Sequence, residues 1–295
     1  MKDLRLLITE SKLSYATNGK AEHFSSYRGG GNLRHIVTPV SAGELEKIAD
    51  IIHCTGTPYA VLGTGTNCLI KDSGYEGLVI CTANLKGITT NGDCITCGSG
   101  ETLPKLALYA AKRNLGGLEP LTGIPSSVGG AIFMNAGAYG TEIKDLLESI
   151  DCYDIAAKTL RHITAKNIPF AYRSSGDIFQ NSVICSATFR LIPNTEVKQK
   201  TVLFAKERRQ KQPNEPSLGC VFQNPIPLSA GYMIESVGLK GRLIGGAAIS
   251  EKHANFIVNK GGGTAADYIA LMELARAMVY NQFKIELIPE IKILG

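Results

Sequence analysis

The apolar residues Leu45, Ile48, Ala49 and Ile52 recur every three or four positions, which places them on one face of an α-helix. Ser41 and Glu44 stand at capping-box spacing at its start. The same pattern predicts a helix opened by Thr102 that buries Leu103, Leu106, Ala107 and Ala110 and stops between Asn114 and Gly117. A third helix is expected from Thr264, with Asp267 completing its cap, to about Tyr280, with Ile269, Met272 and Val279 on or near its buried face. Apolar runs at Tyr59–Leu62, 78–81 and Phe256–Asn259 predict buried strands, short strand-like runs fill 147–192, and a last strand is expected over 285–294, carrying Pro289 and Glu290. Two stretches fit neither period. Residues 120–140, PLTGIPSSVGGAIFMNAGAYG, are too rich in glycine for an ordinary helix or strand and too apolar for a solvent loop. Residues 206–216, KERRQKQPNEP, are charged and broken by proline, and mark a boundary. The reading is an α+β chain in two parts, 1–200 and 201–295.

Composition narrows the class. With 44% hydrophobic and 19% charged residues among 295, the chain can bury a full core and is not disordered. The balance of 31 Lys and Arg against 26 Asp and Glu gives only +5, so no continuous basic stripe for nucleic acid is expected, although a local pocket for a small anion is compatible with it. No run of about 18 uncharged apolar residues is present. The N-terminus lacks a small-residue cleavage site and does not read as a signal peptide. Eight irregularly spaced cysteines then suggest reduced thiols in a cytoplasm. Cys94 and Cys97 form a single C-x-x-C pair inside a strand-like run, where cysteine serves as a small hydrophobe; no metal is expected there.

Six places can carry chemistry. The loop Gly63-Thr64-Gly65-Thr66-Asn67 follows a strand, and successive N–H groups in such a turn can cradle phosphate oxygens, with threonine hydroxyls as further donors; a plain turn is the alternative. It matches neither the Rossmann nor the P-loop pattern. A second glycine- and hydroxyl-rich segment, Gly123-Ile124-Pro125-Ser126-Ser127-Val128-Gly129-Gly130, suits a long phosphorylated cofactor gripped from both sides, and Met134–Gly140 would add a near-apolar wall for a flat ring. Close packing alone is the other explanation of these glycines. Arg173, between Tyr172 and Ser174, is a candidate fork for a carboxylate or phosphate. Lys206, Arg208, Arg209 and Lys211 either face solvent or meet a diphosphate beside Asn224. Cys220 follows Gly219 in a turn that can present its side chain, and Glu290 is a lone carboxylate in an apolar stretch.

Taken in order, these segments resemble the UDP-N-acetylenolpyruvoylglucosamine reductase (MurB) family of flavoenzymes. The resemblance runs from about Phe24 to Gly295: the loop at 63–67, G-I-P-x-S-V-G-G-A from 123, M-N-A-G-A-Y-G at 134–140, Y-R-S-S at 172–175 and K-Q-P at 211–213. Then follow G-C-V-F-Q-N-P at 219–225, G-L-K-G at 238–241, S-E-K-H-A-N-F-I-V-N at 250–259, and P-E with a terminal glycine at 289–295. No extra loop separates the Y-R-S-S and K-Q-P blocks, which suggests the shorter, type II form. The resemblance implies an FAD-binding domain over 1–200, in a fold similar to the vanillyl-alcohol-oxidase flavoproteins, and a substrate domain over 201–295. It implies that Gly63, Thr64, Gly65, Thr66 and Asn67, with Gly123, Ile124, Pro125, Ser126, Ser127, Gly129 and Gly130, hold FAD, with Arg208 near the flavin. Tyr172, Lys211 and Asn224 would meet the UDP-sugar, Arg173 and Glu290 the enolpyruvyl carboxylate, and Cys220, where many members carry serine, would donate the proton. It further implies NADPH as reductant, UDP-N-acetylglucosamine enolpyruvate as substrate, a role in peptidoglycan precursor synthesis, and a cytoplasmic monomer. A flavin oxidoreductase with another substrate and a non-catalytic nucleotide-binding protein are the alternatives. The blocks 217–225 and 250–295 speak against the first, and the joint presence of Arg173, Cys220 and Glu290 against the second.

Overall fold

The computed structural model describes residues 3–295. The chain forms two compact units: residues up to Thr17 with His35–Thr64 and Gly77–Glu207, and Asn18–Arg34 with Gly65–Glu76 and Arg208–Gly295. The division is discontinuous, where the sequence suggests one boundary near residue 200; two short N-terminal segments belong to the second unit.

In the first unit a five-stranded antiparallel sheet has the order Thr159–Thr164, Leu147–Asp154, Ser182–Arg190, Cys94–Gly98, Ile88–Asn91. Its register aligns Ile163, Ile150, Ala187 and Cys97 on one face. That face packs with Leu103, Leu106 and Ala110 of helix α3, Leu103–Ala111, which Thr102 caps as expected. The neighbouring row, Thr164, Ser149, Thr188 and Thr96, falls on the opposite face, since side chains alternate along a strand. Truncating the fully buried Phe189 of this core to alanine would cost about 3–5 kcal/mol.

A second core of this unit joins helices α1, Leu4–Glu10, and α2, Ala42–Thr55, to the parallel strands Tyr59–Leu62 and Tyr75–Cys81 through Ile8, Leu45, Ile48, Ala49, Ile52, Leu78 and Ile80. α1 is capped by Asp3 and was not foreseen from the sequence. The glycine-rich stretch holds a helix after all: α4, Val128–Phe133, capped by Ser127, whose Oγ accepts the Gly130 N–H at 3.3 Å. A Cβ on Gly129 would meet that of Ser99 at 3.0 Å, so the composition that argued against a helix is what lets this one pack. The charged run is also helical as far as Lys211, at the end of α5, Val197–Lys211.

In the second unit an antiparallel sheet has the order Ser217–Cys220, Phe256–Asn259, Ala247–Ile249, Leu243–Ile244. Helices α6, Ala230–Ser236, and α7, Ala265–Phe283, cover it through Met233, Ile234, Tyr268, Leu271, Met272 and Val279. Thr264 and Asp267 form the expected capping box of α7. The expected strand over 285–294 shrinks to Lys292–Leu294, parallel to Cys68–Ile70. Pro289 limits it. It pairs with Phe222 only as a single bridge, of the kind in which neither facing residue uses its own N–H: Gln223 N–H donates to Ile288 O and Glu290 N–H to Val221 O. Among the described residues no helix is long and apolar enough to cross a membrane.

Candidate active site

Within the first unit the two predicted glycine-rich loops meet. The backbone N–H of Ser127 donates to Thr64 Oγ1 at 3.0 Å, and a Cβ on Gly63 would come within 2.2 Å of Ser127 Oγ. The second loop is less open than the sequence suggests. The N–H groups of Val128, Gly129 and Gly130 already bond to Glu101 O, Ser99 O and Ser127 Oγ. Only those of Gly123 and Ser126 lack an acceptor among the described residues. The loop from Thr64 to Asn67 is the reverse case. Its four successive N–H groups have no acceptor among the described residues. Gly65 holds the left-handed conformation the turn needs, at φ +64°. Backbone donors without a partner call for one from outside the chain, and a phosphate-bearing group fits them.

Arg173 sits at the third position of a tight turn closed by Ala171 N–H to Ser174 O at 2.9 Å and Ser174 N–H to Ala171 O at 3.2 Å. Its φ of +57° is a strained backbone for a residue with a side chain. Its guanidinium lies 4.9 Å from the centre of the Tyr172 ring and donates to Gly137 O at 3.1 Å. Asn135 ties this turn down. Fully buried, it donates through Nδ2 to Ala171 O and to Glu142 Oε2, each at 2.9 Å, and accepts the Lys144 N–H at 3.1 Å. Burial pushes the Glu142 carboxyl up, but the bonds from Lys144 and Asn135 outweigh it and hold it below the usual range, with the Arg173 charge helping. Neither Asn135 nor Glu142 stood out in the sequence, where Asn135 reads as part of an apolar wall.

The second unit carries the other candidates. Cys220 ends its strand after a bulge that begins at Ser217. The Glu290 N–H bonds Val221 O at 2.8 Å, so Cys220 and Glu290 lie on adjacent, hydrogen-bonded segments. Asn67 is tied to the Glu290 segment, its Nδ2 donating to Glu290 O at 3.1 Å and its backbone carbonyl accepting the Lys292 N–H at 2.9 Å. Asn224 Oδ1 accepts the N–H of Ala230 at the start of α6. Arg208 and Lys211 lie in the last turn of α5, whose Arg209 carbonyl receives Lys252 Nζ at 2.6 Å. His253, which the sequence did not single out, accepts the Asn255 N–H at Nδ1, at 3.2 Å; the neutral ring then carries its proton on Nε2. Burial, helped by Lys240 and Arg208, lowers its pKa. Thus Gly63, Thr64, residues 123–130, Tyr172 and Arg173 belong to the first unit; Gly65, Thr66, Asn67, Arg208, Lys211, Cys220, Asn224 and Glu290 belong to the second.

Cys94 and Cys97 point to opposite faces of their strand and cannot share a ligand. Cys94 donates to Glu148 Oε2 at 3.2 Å, and that bond raises its thiol pKa, whereas burial raises Cys97 to about 12. Among the described residues no three metal-ligating side chains gather.

Residues 33–164 match the FAD binding domain family, which places the chain among the FAD-binding flavoproteins. A variant of Physcomitrella patens BBE-like 1, 16% identical, shares the fold over 64% of this chain and 44% of its own, with a TM-score of 0.50. Residues 211–294 match the family described as UDP-N-acetylenolpyruvoylglucosamine reductase, C-terminal domain. Proteins named UDP-N-acetylenolpyruvoylglucosamine reductase are similar over most of their length: that of Caldicellulosiruptor bescii is 37% identical over 99% of this chain and 95% of its own, and that of Prochlorococcus marinus 40% over 92% and 91%. The crystal structure of UDP-N-acetylenolpyruvylglucosamine reductase (MurB) from Thermus caldophilus superposes with a TM-score of 0.81 at 30% identity, covering 96% of this chain and 99% of that one. The chain belongs to the UDP-N-acetylenolpyruvoylglucosamine reductase family.

Proposed function

We propose that the protein reduces UDP-N-acetylglucosamine enolpyruvate to UDP-N-acetylmuramate with NADPH, as a cytoplasmic monomer serving peptidoglycan precursor synthesis. When bound, FAD would supply the hydride-transfer chemistry that links NADPH to the enolpyruvyl group. The residues 63–67 and 123–130 hold it, through the open N–H groups of the first loop above all, with Arg208 nearby. The N-terminal part serves mainly the cofactor and residues 201–295 the substrate.

The work of the protein's own side chains is electrostatic and acid–base. As hydride arrives, negative charge builds on the carboxyl-bearing side of the substrate, and the Arg173 fork opposes it; removal of one such donor costs about 3–4 kcal/mol of transition-state stabilisation. Glu290 orients the same group. The Cys220 thiol then delivers a proton to the carbon that carries the carboxylate. A thiol, with an ordinary pKa of about 8.5, is a stronger acid than the serine hydroxyl common in the family. Lys211 and Asn224 bind the nucleotide-sugar, with Tyr172 beside Arg173.

The observation that supports this most is the joining of Cys220 and Glu290 through the Val221–Glu290 bond, because it couples a proton donor to a carboxylate from a distant stretch of chain. Stopped-flow measurement on Cys220→Ala tests it: bleaching of the flavin by NADPH is expected to persist, and reoxidation by the enolpyruvyl sugar to stop. Normal turnover would remove Cys220 from the proton step.

A further inference from the structure

The segment that follows Cys220 is clamped from both edges. On one edge regular pairing with the 256–259 strand ends at Cys220 and Phe256. There the side chain of Asn255, 1% exposed, takes over the work of a strand: Nδ2 donates to Phe222 O at 2.8 Å and Oδ1 accepts the Phe222 N–H at 3.0 Å. The Asn255 backbone is used as well, its carbonyl accepting the Val221 N–H at 2.8 Å and its N–H donating to His253 Nδ1. On the other edge, Val221 O and the Gln223 N–H bond Glu290 and Ile288.

We propose that Asn255 is a positioning residue that fixes the spacing between the Cys220 thiol and the Glu290 carboxylate. The inference rests on the roles given above to those two residues. Its physical basis is that both peptide groups of Phe222 are satisfied by one buried amide. A shorter side chain removes both partners at once, leaving an N–H and a C=O unpaired in the interior, and the segment must move to find others. Because that segment is bonded to Cys220 on one side and to Glu290 on the other, any such movement changes the geometry of the acid relative to the carboxylate. Proton transfer is sensitive to such shifts, and a displacement of about 1 Å can slow a reaction about a hundredfold.

The test uses the full-length, FAD-loaded Asn255→Ala and Asn255→Ser variants. Reoxidation by the enolpyruvyl UDP-sugar is expected to slow about 10- to 100-fold, with reduction by NADPH little changed. A merely structural role would depress both half-reactions together. In apoprotein, amide exchange at Gln223 and Glu290 should quicken, and alkylation of Cys220 by iodoacetamide should change while that of Cys152 does not. In a Cys220→Ala background the Asn255 substitution should have no further effect. If Cys220→Ala alone reoxidises normally, the reading of Cys220 is wrong and this inference falls with it. If Cys220→Ala is blocked while the Asn255 variants reoxidise at the parental rate, only the positioning role is overturned. Failure of both variants to fold would overturn it too, by making the amide a determinant of the fold.

Discussion

Substituting alanine for Gly65 probes the loop whose unpartnered backbone N–H groups are proposed to hold a phosphate. Two effects add. An L side chain at φ +64° costs about 1–2 kcal/mol in torsion alone. The new Cβ would stand 1.8 Å from the carbonyl oxygen of Phe24, against an ordinary C···O contact of about 3.3 Å, so the loop must retreat by about 1.5 Å. The obstacle is backbone and cannot swing aside: the Phe24 N–H is bonded to Ala21 O, and Gly65 O itself holds the Ser26 N–H at 3.0 Å. A retreat of that size carries donors at 64–67 beyond hydrogen-bond range of a bound phosphate. Loss of two charge-assisted bonds costs about 3 kcal/mol, roughly a hundredfold in affinity. Fluorescence titration of apoprotein with FAD measures it directly. Gly56→Ala is the control, since Gly56 is also left-handed, at φ +66°, but its Cβ would meet nothing within 4 Å. If Gly65→Ala binds FAD within about threefold of the parent, the loop does not carry the cofactor's phosphates.

Arg173→Lys keeps the charge but loses the fork and the glycine carbonyl contact, and should lower kcat/KM for the sugar by about tenfold or more while Arg173→Ala loses about a hundredfold; equal rates for arginine and lysine would argue against bidentate recognition. Lys211→Ala should raise KM for the UDP-sugar with little change in flavin reduction, and an unchanged KM would return the basic turn to solvent. Because His253 is harder to protonate folded than unfolded, its contribution to stability is full above pH 6.5 and is lost as pH falls from there through the folded value. Denaturant midpoints at pH 7.5 and 5.5 should therefore differ less in His253→Asn than in the parent; an equal difference would refute the assignment.

Helices α2, α3 and α7 were legible because each joins an apolar stripe to a polar cap at the right spacing. α5 was not. Its sequence VKQKTVLFAKERRQK has no stripe, and only Val197 and Thr201 are buried along it. α4 was hidden for a different reason: its glycines lower helix propensity, and the benefit they bring is closeness to Ser99, which is a tertiary fact. The final strand was overextended because period-2 reasoning does not register what Pro289 withholds from a ladder. For the site, motif order nominated Arg173, Cys220 and Glu290. The supporting amides of Asn135 and Asn255 were silent, because a buried asparagine is recognisable only once its partners are known.

The bridge between Phe222 and Pro289 acts as a key in a lock. A slide of the terminal segment by one residue against 221–223 would set the proline nitrogen where a donor is required and turn the Glu290 side chain to the far face of the pairing. A chain end could otherwise fray or dock out of frame; here a residue that cannot donate rejects the misaligned arrangement, so the carboxylate arrives in one orientation each time the protein folds.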